Sequence, residues 1–347
     1  MTLSTSPSRL RTVLRSAPLS AAALLVGLSI GQTAFAQGKG LDEPFRAGYK
    51  STLAGKTVAF VPVAMGFDLA QGWFEGLKKE LEPLGVKVIA RDPNWNTNAG
   101  AQAVTSLISE KPDVMVVHNP DVQTYAKLLQ RAEEAGIQVV QVNMRSNYSS
   151  VLYVGVDWVD IGEKATNAVV QACKGKSNKI AIVQGALSAA ASAYTLKGVE
   201  NVLAKNPDIK VVSSQASDWD AAKAKGITQT VLKQHPDLCG IVGFWDGHDS
   251  GTAAAIKEAG LTGKVFLATS GGGEQKGACD QVKSGAFDLN LSYDVPTQAS
   301  NMASSIKWLL QNKGKTGTAK GSIYTTIIPI TKANASIEGT CWKLGKT

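Results

Sequence analysis

The chain has no Cys-x-x-Cys pair and no His-Glu-x-x-His, its one Gly-x-Ser-x-Gly (Gly27-Leu28-Ser29-Ile30-Gly31) overlaps the apolar N-terminal run, and only 3 of its 347 residues are histidine. The first absence removes zinc ribbons and thioredoxin-like redox sites; the second removes the zincin metalloproteases. No Gly-x-Ser-x-Gly occurs beyond residue 36, which removes the strand-to-helix elbow that carries a hydrolase serine. Beyond residue 36, no apolar run approaches the roughly 18 residues that a membrane-spanning helix needs. Gly-X-Y periodicity is absent, and 44% hydrophobic against 18% charged residues is the balance of a globular chain, not a disordered one.

Acid is missing from the N-terminus. No acidic residue precedes Asp42, whereas Arg9, Arg11 and Arg15 stand near the start, followed by an apolar, small-residue run over 19–30 and then Ala34-Phe35-Ala36. A basic start, a short apolar stretch and an A-x-A site describe a secretory signal peptide, cleaved after Ala36. Cleavage leaves 311 residues, enough for two domains, and lowers the net charge from +8 to +5. Gln37, not cysteine, follows the cut, so the expected product is a free exported protein with no lipid anchor. The remaining lysines, such as Lys78, Lys79, Lys223 and Lys225, are scattered over helix faces, which argues against nucleic acid as a partner. Export also makes Cys173, Cys239, Cys279 and Cys341 candidates for two disulfides, for which three pairings exist.

What is present from Lys56 onward is alternation. Short β-branched runs at 58–63, 87–90, 114–118 and 139–143 alternate with amphipathic stretches at 69–84, 99–110 and 122–135. Breakers fall where helices should stop, at Pro83, Gly85, Pro112 and Gly136. The grammar restarts with strand 153–157. Strands at 179–184, 211–214, 240–244, 265–268 and 289–293 then follow or separate helices at 161–173, 191–205, 221–235, 251–258 and 276–283. A helix over 298–310 and a strand over 324–329 complete the pattern. Parallel strands joined by crossover helices are the expected outcome. Lys111-Pro112-Asp113-Val114 and His235-Pro236-Asp237-Leu238 repeat a helix–Pro–Asp–strand junction, which predicts two similar doubly wound parallel-sheet α/β domains. Ligands of such sheets bind beyond the carboxyl ends of the strands.

The loops there match none of the common phosphate, calcium or metal motifs. Gly271-Gly272-Gly273-Glu274-Gln275-Lys276-Gly277 fails both phosphate-binding forms: Lys276 stands where a dinucleotide loop needs glycine, and Ala278 where a Walker loop needs lysine. Asp92-x-Asn94-x-Asn96 starts like a calcium loop but lacks the glycine at its sixth position (Thr97) and the glutamate at its twelfth (Ala103). Asp246-Gly247-His248-Asp249 reads as a helix start capped by an aspartate, not as a metal site. No nucleophile–base pair, metal set or cofactor motif survives, so a binding protein is expected in preference to an enzyme. Trp95, Trp158, Trp219 and Trp245 lie at or just past strand ends beside polar residues. Flat rings beside hydrogen-bonding groups suit a small ligand with an apolar face and a polar rim, as in a sugar or polyol.

From Lys56 to Pro329 the chain resembles the ribose- and galactose-type periplasmic binding proteins that serve ABC importers. The resemblance is carried by Val58-Ala59-Phe60-Val61, 139–143, Val154-Gly155-Val156-Asp157, Ile182-Val183-Gln184-Gly185, Asp218-Trp219-Asp220 and His235-Pro236-Asp237, in that order. It implies a type I periplasmic binding protein fold, two lobes joined by three chain crossings near 154–158, 292–295 and 324–329. The lobes would be 56–154 with 295–325, and 155–294; 37–55 would be an N-terminal extension and 326–347 a hinge-crossing strand and tail. The resemblance also implies a ligand site at Phe67, Asp68, Leu69, Asn143, Arg145, Asp157, Trp158, Tyr194, Trp219, Trp245, Asp246, Ser270 and Tyr293. Its implied partners are one sugar or polyol and an inner-membrane ABC permease, for a monomeric receptor; a sensory role beside a chemoreceptor or sensor kinase is the alternative. The pattern departs from a ribose site at Met144 and Thr195, where arginines clamp hydroxyls, and at Trp245 and Ser270. Those changes exchange charged hydrogen bonds for apolar area and point to a bulkier or less hydroxylated ligand. Cys173 ends a helix and Cys239 starts an adjacent strand, so the expected pairs are Cys173–Cys239 and Cys279–Cys341.

Overall fold

A computed structural model describes residues 44–312 and 320–345. The expected signal peptide and its cleavage site lie outside the described residues. Residues Gly48–Thr347 form one compact unit.

A helix α1 (Pro44–Leu53) leads into β1 (Thr57–Val61), α2 (Asp68–Leu81), β2 (Lys87–Ala90), α3 (Thr97–Glu110), β3 (Val114–Val117), α4 (Ala126–Glu134), β4 (Gln138–Val142) and β5 (Leu152–Gly155). The second series is α5 (Trp158–Cys173), β6 (Lys179–Gln184), α6 (Ala190–Leu203), β7 (Lys210–Ala216), α7 (Ala221–Gln234), β8 (Gly240–Gly243), α8 (Asp246–Glu258) and β9 (Phe266–Gly271). After a π-turn, Gln275–Cys279, come α9 (Asp280–Ser284), β10 (Leu289–Ser292), α10 (Val295–Gln311), β11 (Gly321–Tyr324) and β12 (Ile328–Ile330).

The strands form two six-stranded sheets, ordered β11-β5-β4-β3-β1-β2 and β12-β10-β9-β8-β6-β7. Among the described residues only the β10–β12 pair is antiparallel. Each sheet thus reverses strand order between its first and third strands, the switch point where doubly wound sheets bind ligands. The central strands read as unbroken apolar runs because helices cover both faces. Val114, Met115, Val116 and Val117 of β3 are all fully buried, each contributing about 1.5–3 kcal/mol of transfer free energy.

The chain passes between the sheets three times, at 156–157, at Tyr293–Asp294 and between β11 and β12. Thr325 joins all three. Its backbone N–H donates to Gly155 O at 2.8 Å, and its hydroxyl lies 3.0 Å from Tyr293 O and 3.3 Å from Gly155 O. The same oxygen accepts from Gln298 Nε2 of α10, which packs on α2 beside the first sheet. Asp294 takes a left-handed conformation (φ 56°) and caps α10 by accepting from Thr297 N.

The structure revises some boundaries. The single strand expected over 324–329 is two, one in each sheet, with Thr325–Ile327 between them. Helix α8 starts at Asp246, not 251, and its N-cap is Trp245 with no side-chain cap bond, so no aspartate caps it. Cys173 is bonded to Cys239 and Cys279 to Cys341, the second bond tying the C-terminal tail to the π-turn. No helix among the described residues is long and apolar enough to cross a membrane.

Candidate ligand-binding site

The carboxyl ends of both sheets face one cavity of about 40 Å³. The first lobe supplies Val63 and Phe67 from the β1–α2 loop, Leu69 from the first turn of α2, Trp95 after β2, His118 after β3, and Asn143 and Met144 after β4. The second supplies Trp158 and Ala191 from the first turns of α5 and α6, Trp219 after β7, and Phe244 and Trp245 after β8. Tyr293, from the second crossing, completes it.

Two of the tryptophans sit on loops that duplicate one another. Asn94-Trp95 and Asp218-Trp219 each place two consecutive non-glycine residues in the left-handed region (φ 48° and 64°; 54° and 65°). A bulky residue held there is strained by about 1–3 kcal/mol and persists only where its surroundings enforce it. Here the enforcement is visible. Asp92 Oδ1 accepts from Asn94 N and Met65 N, Trp95 N donates to Val63 O, and Asn96 caps α3 by accepting from Ala99 N. In the second lobe Ser217 Oγ donates to Gln184 O, Asp218 pairs with Lys223, and Asp220 caps α7 through Lys223 N. The Asp92–Asn96 segment is therefore a turn held by its own side chains. Trp219 lies so close to Gly185 that a Cβ there would fall 2.0 Å from the indole, so only glycine fits.

The rings meet across the lobes. Phe67 lies 5.3 Å from Trp95 and 5.9 Å, edge-on, from Trp245; Trp95 and Trp219 lie 6.3 and 6.2 Å from Trp245. Trp219 stacks on the buried His248 at 5.7 Å. These spacings fall in the range where aromatic pairs attract beyond their area burial. Deeper in, Trp158 packs edge-on against Tyr293 at 5.0 Å and donates from Nε1 to Asn143 O, which also accepts from Tyr153 OH.

Polar groups at the cavity are few. Asn143 Nδ2 donates to His118 Nε2 at 3.4 Å, which puts the imidazole proton on Nδ1; burial pushes the His118 pKa down to about 3, so the ring is neutral. Among the described residues, His118 Nδ1 and Asn143 Oδ1 have no partner. Two carboxylates lie nearby without lining the cavity. Asp246 accepts from Asn290 Nδ2 at 2.9 Å and sits against Gly271, where a Cβ would fall 1.8 Å from its Oδ2. Burial, and then the charge of Asp68, hold its pKa well above the usual carboxylate range. Burial also raises Asp68, to about 6, with the charge of Glu274 adding to it and the Leu69 amide opposing. Desolvation favours the neutral acid in both.

The cavity gathers seven of the residues expected from the sequence: Phe67, Leu69, Asn143, Trp158, Trp219, Trp245 and Tyr293. Six lie elsewhere. Asp68 and Asp246 are turned aside as described. Arg145 lies 4.0 Å over the Tyr153 ring and donates to Tyr324 OH, and Asp157 caps α5 through Val159 N and Asp160 N. Tyr194 is half exposed, and Ser270 bonds to Phe244 O and Tyr293 OH. Sequence reading missed Val63, His118, Ala191 and Phe244 as lining residues. Trp95 had been singled out by its polar neighbours, and Met144 by its departure from the ribose pattern. No group of three or more metal-ligating side chains occurs among the described residues.

A family model described as periplasmic binding protein domain matches residues 58–315. Among curated proteins, the chain is 27% identical over 215 residues to a xylitol-binding protein of Mycolicibacterium smegmatis, covering 61% of this chain and 60% of that one. It is 26% identical over 187 residues to the ribose import binding protein of Bacillus subtilis, covering 54% of this chain and 60% of that protein. The match thus spans about 60% of the length of these two relatives. Among solved structures, a solute-binding protein of an ABC transporter from Burkholderia graminis, in complex with D-arabinose, superposes with a TM-score of 0.74. It is 24% identical and covers 82% of this chain and 98% of its own. A galactofuranose-binding protein superposes at 0.72, with 20% identity and coverage of 81% and 96%.

Proposed function

Because the chain belongs to the periplasmic binding protein domain family, we propose that it is the solute receptor of an ABC importer. It captures one small uncharged solute, a sugar or polyol, between its lobes and hands it to an inner-membrane permease. The relatives' names point to sugars and polyols, and the chain's own architecture supports capture by closure. The observation that carries the reading is the convergence of Phe67 and Trp95 from one lobe with Trp219 and Trp245 from the other on a single cavity. A solute touching both walls gains contacts that exist only when the lobes are together, so binding shifts the population toward closure. The exposed surface created by closure is then what a permease reads. The protein works in the periplasm after loss of residues 1–36, carries no cofactor and turns nothing over. Reconstitution with its permease tests this: transport ATPase activity should rise with receptor plus solute and stay basal with either alone. A receptor that binds solute yet never raises that activity would contradict the transport role.

A further inference from the structure

The polar inventory of the cavity limits what it accepts. Among the described residues no charged side chain lines it, and its walls are aliphatic or aromatic apart from His118, Asn143, the Tyr293 hydroxyl and the indole N–H groups of Trp95, Trp219 and Trp245. Tyr293 OH is engaged with Ser270 Oγ at 2.6 Å. Among the fully buried side-chain atoms of the lining, His118 Nδ1–H is a donor and Asn143 Oδ1 an acceptor without a partner among the described residues. A donor beside an acceptor is the complement of a single hydroxyl, which accepts one bond and donates one. The adjoining cleft of about 510 Å³ shares Val63, Trp95, Met144 and Trp219 with the cavity and adds the hydroxyl residues Thr97, Tyr125 and Ser188 beside loop amide and carboxylate groups. Its Asn96, Asp121, Asp218 and Asp220 are bonded within their own loops.

We infer that the solute is an uncharged ring with two apolar faces and one hydroxyl-bearing edge, not a fully hydroxylated sugar. The inference rests on the capture reading and narrows its solute. The apolar faces lie against the indoles of Trp219 and Trp245 and against Phe67, and the hydroxyl edge meets His118 and Asn143. Each additional buried hydroxyl left without a partner costs about tenfold in affinity. A charged solute fares worse, because the carboxylates nearest the cavity are turned to Asn290 and Leu69 and no cation faces it. Two chemistries share the inferred ring, an aromatic alcohol and a deoxy sugar.

Calorimetric titration of the processed protein tests this with five probes: benzyl alcohol, the dideoxy sugar digitoxose, benzoate, D-galactose and xylitol. Benzyl alcohol or digitoxose should bind at least tenfold more tightly than D-galactose and xylitol, and benzoate at least tenfold more weakly than benzyl alcohol. The stronger of the first two identifies the source of the ring. Galactose or xylitol binding as tightly as both would overturn the inference while leaving capture intact. Benzoate binding as tightly as benzyl alcohol would overturn the neutral-edge assignment. If none of the five binds, the inferred chemistry is wrong; a solute-dependent permease response to a further sugar would then keep the receptor reading alive.

Discussion

Trp219 and Trp245 are half-buried rings that touch one another, and Trp245 meets Phe67 and Trp95 of the opposite lobe. Removing either should therefore strip binding area without opening the core. Trp219→Ala and Trp245→Ala are each expected to weaken solute affinity tenfold or more, with little change in melting temperature. Unchanged affinity in both would remove them from the site. Asp68 gives a pH signature. Its pKa stands at about 6 in the folded chain against 3.8 when free, so the folded form holds a proton that the unfolded form releases between those values. The stabilisation from that proton is complete below about pH 3.8 and is lost as pH rises through about 6. Glu274 and Asp246 face the same carboxylate and keep the effect acidic in origin. Thermal melts of Asp68→Asn should fall less between pH 4 and 7 than those of the unaltered chain; parallel curves would contradict the assignment. At this scale the rings stood out because four tryptophans recur beside asparagine or aspartate at strand ends. The direction of neighbours did not: Asp68 and Asp246 follow Phe67 and Trp245 directly, yet neither carboxylate lines the cavity. His118 reads as the end of an apolar strand, and nothing in Val-Met-Val-Val-His separates a cavity residue from a core one.

The elements were read from their periods, and most were found where apolar spacing and breakers put them. The exception is instructive. Residues 324–330, Tyr-Thr-Thr-Ile-Ile-Pro-Ile, form a β-branched run whose period names a strand but not the sheet it joins. The chain uses the first residue to end β11 in one sheet and the last three as β12 in the other, leaving Thr325 to knit the crossings. That role depends on hydroxyl geometry, which no local pattern encodes. Thr325→Val keeps the shape but leaves the Gln298 amide and the Tyr293 carbonyl short of a partner. It should cost about 1–3 kcal/mol in chemical denaturation; a loss below about 0.5 kcal/mol would show that water serves those groups equally well. The duplicated loops at Asn94-Trp95 and Asp218-Trp219 were legible only as turns. Their left-handed geometry emerges from bonds to Asp92, Val63, Gln184 and Lys223, residues distant or opposite in the turn.

At the scale of the molecule, the repeated helix–Pro–Asp–strand junction corresponds to two sheets of the same order, each with its switch point opening on the shared cavity. The sequence pattern could announce two similar domains, since alternation and repetition are local signals. It could not announce how far the two aromatic walls interlock, because that depends on three crossings acting together. The central claim is that one solute is held by both lobes at once. Small-angle scattering on the processed protein, with and without a saturating solute chosen by thermal shift, tests it most directly. The account predicts a smaller radius of gyration with solute, and loss of that change in Trp245→Ala at the same solute concentration. A bound solute that leaves the radius of gyration unchanged would contradict it.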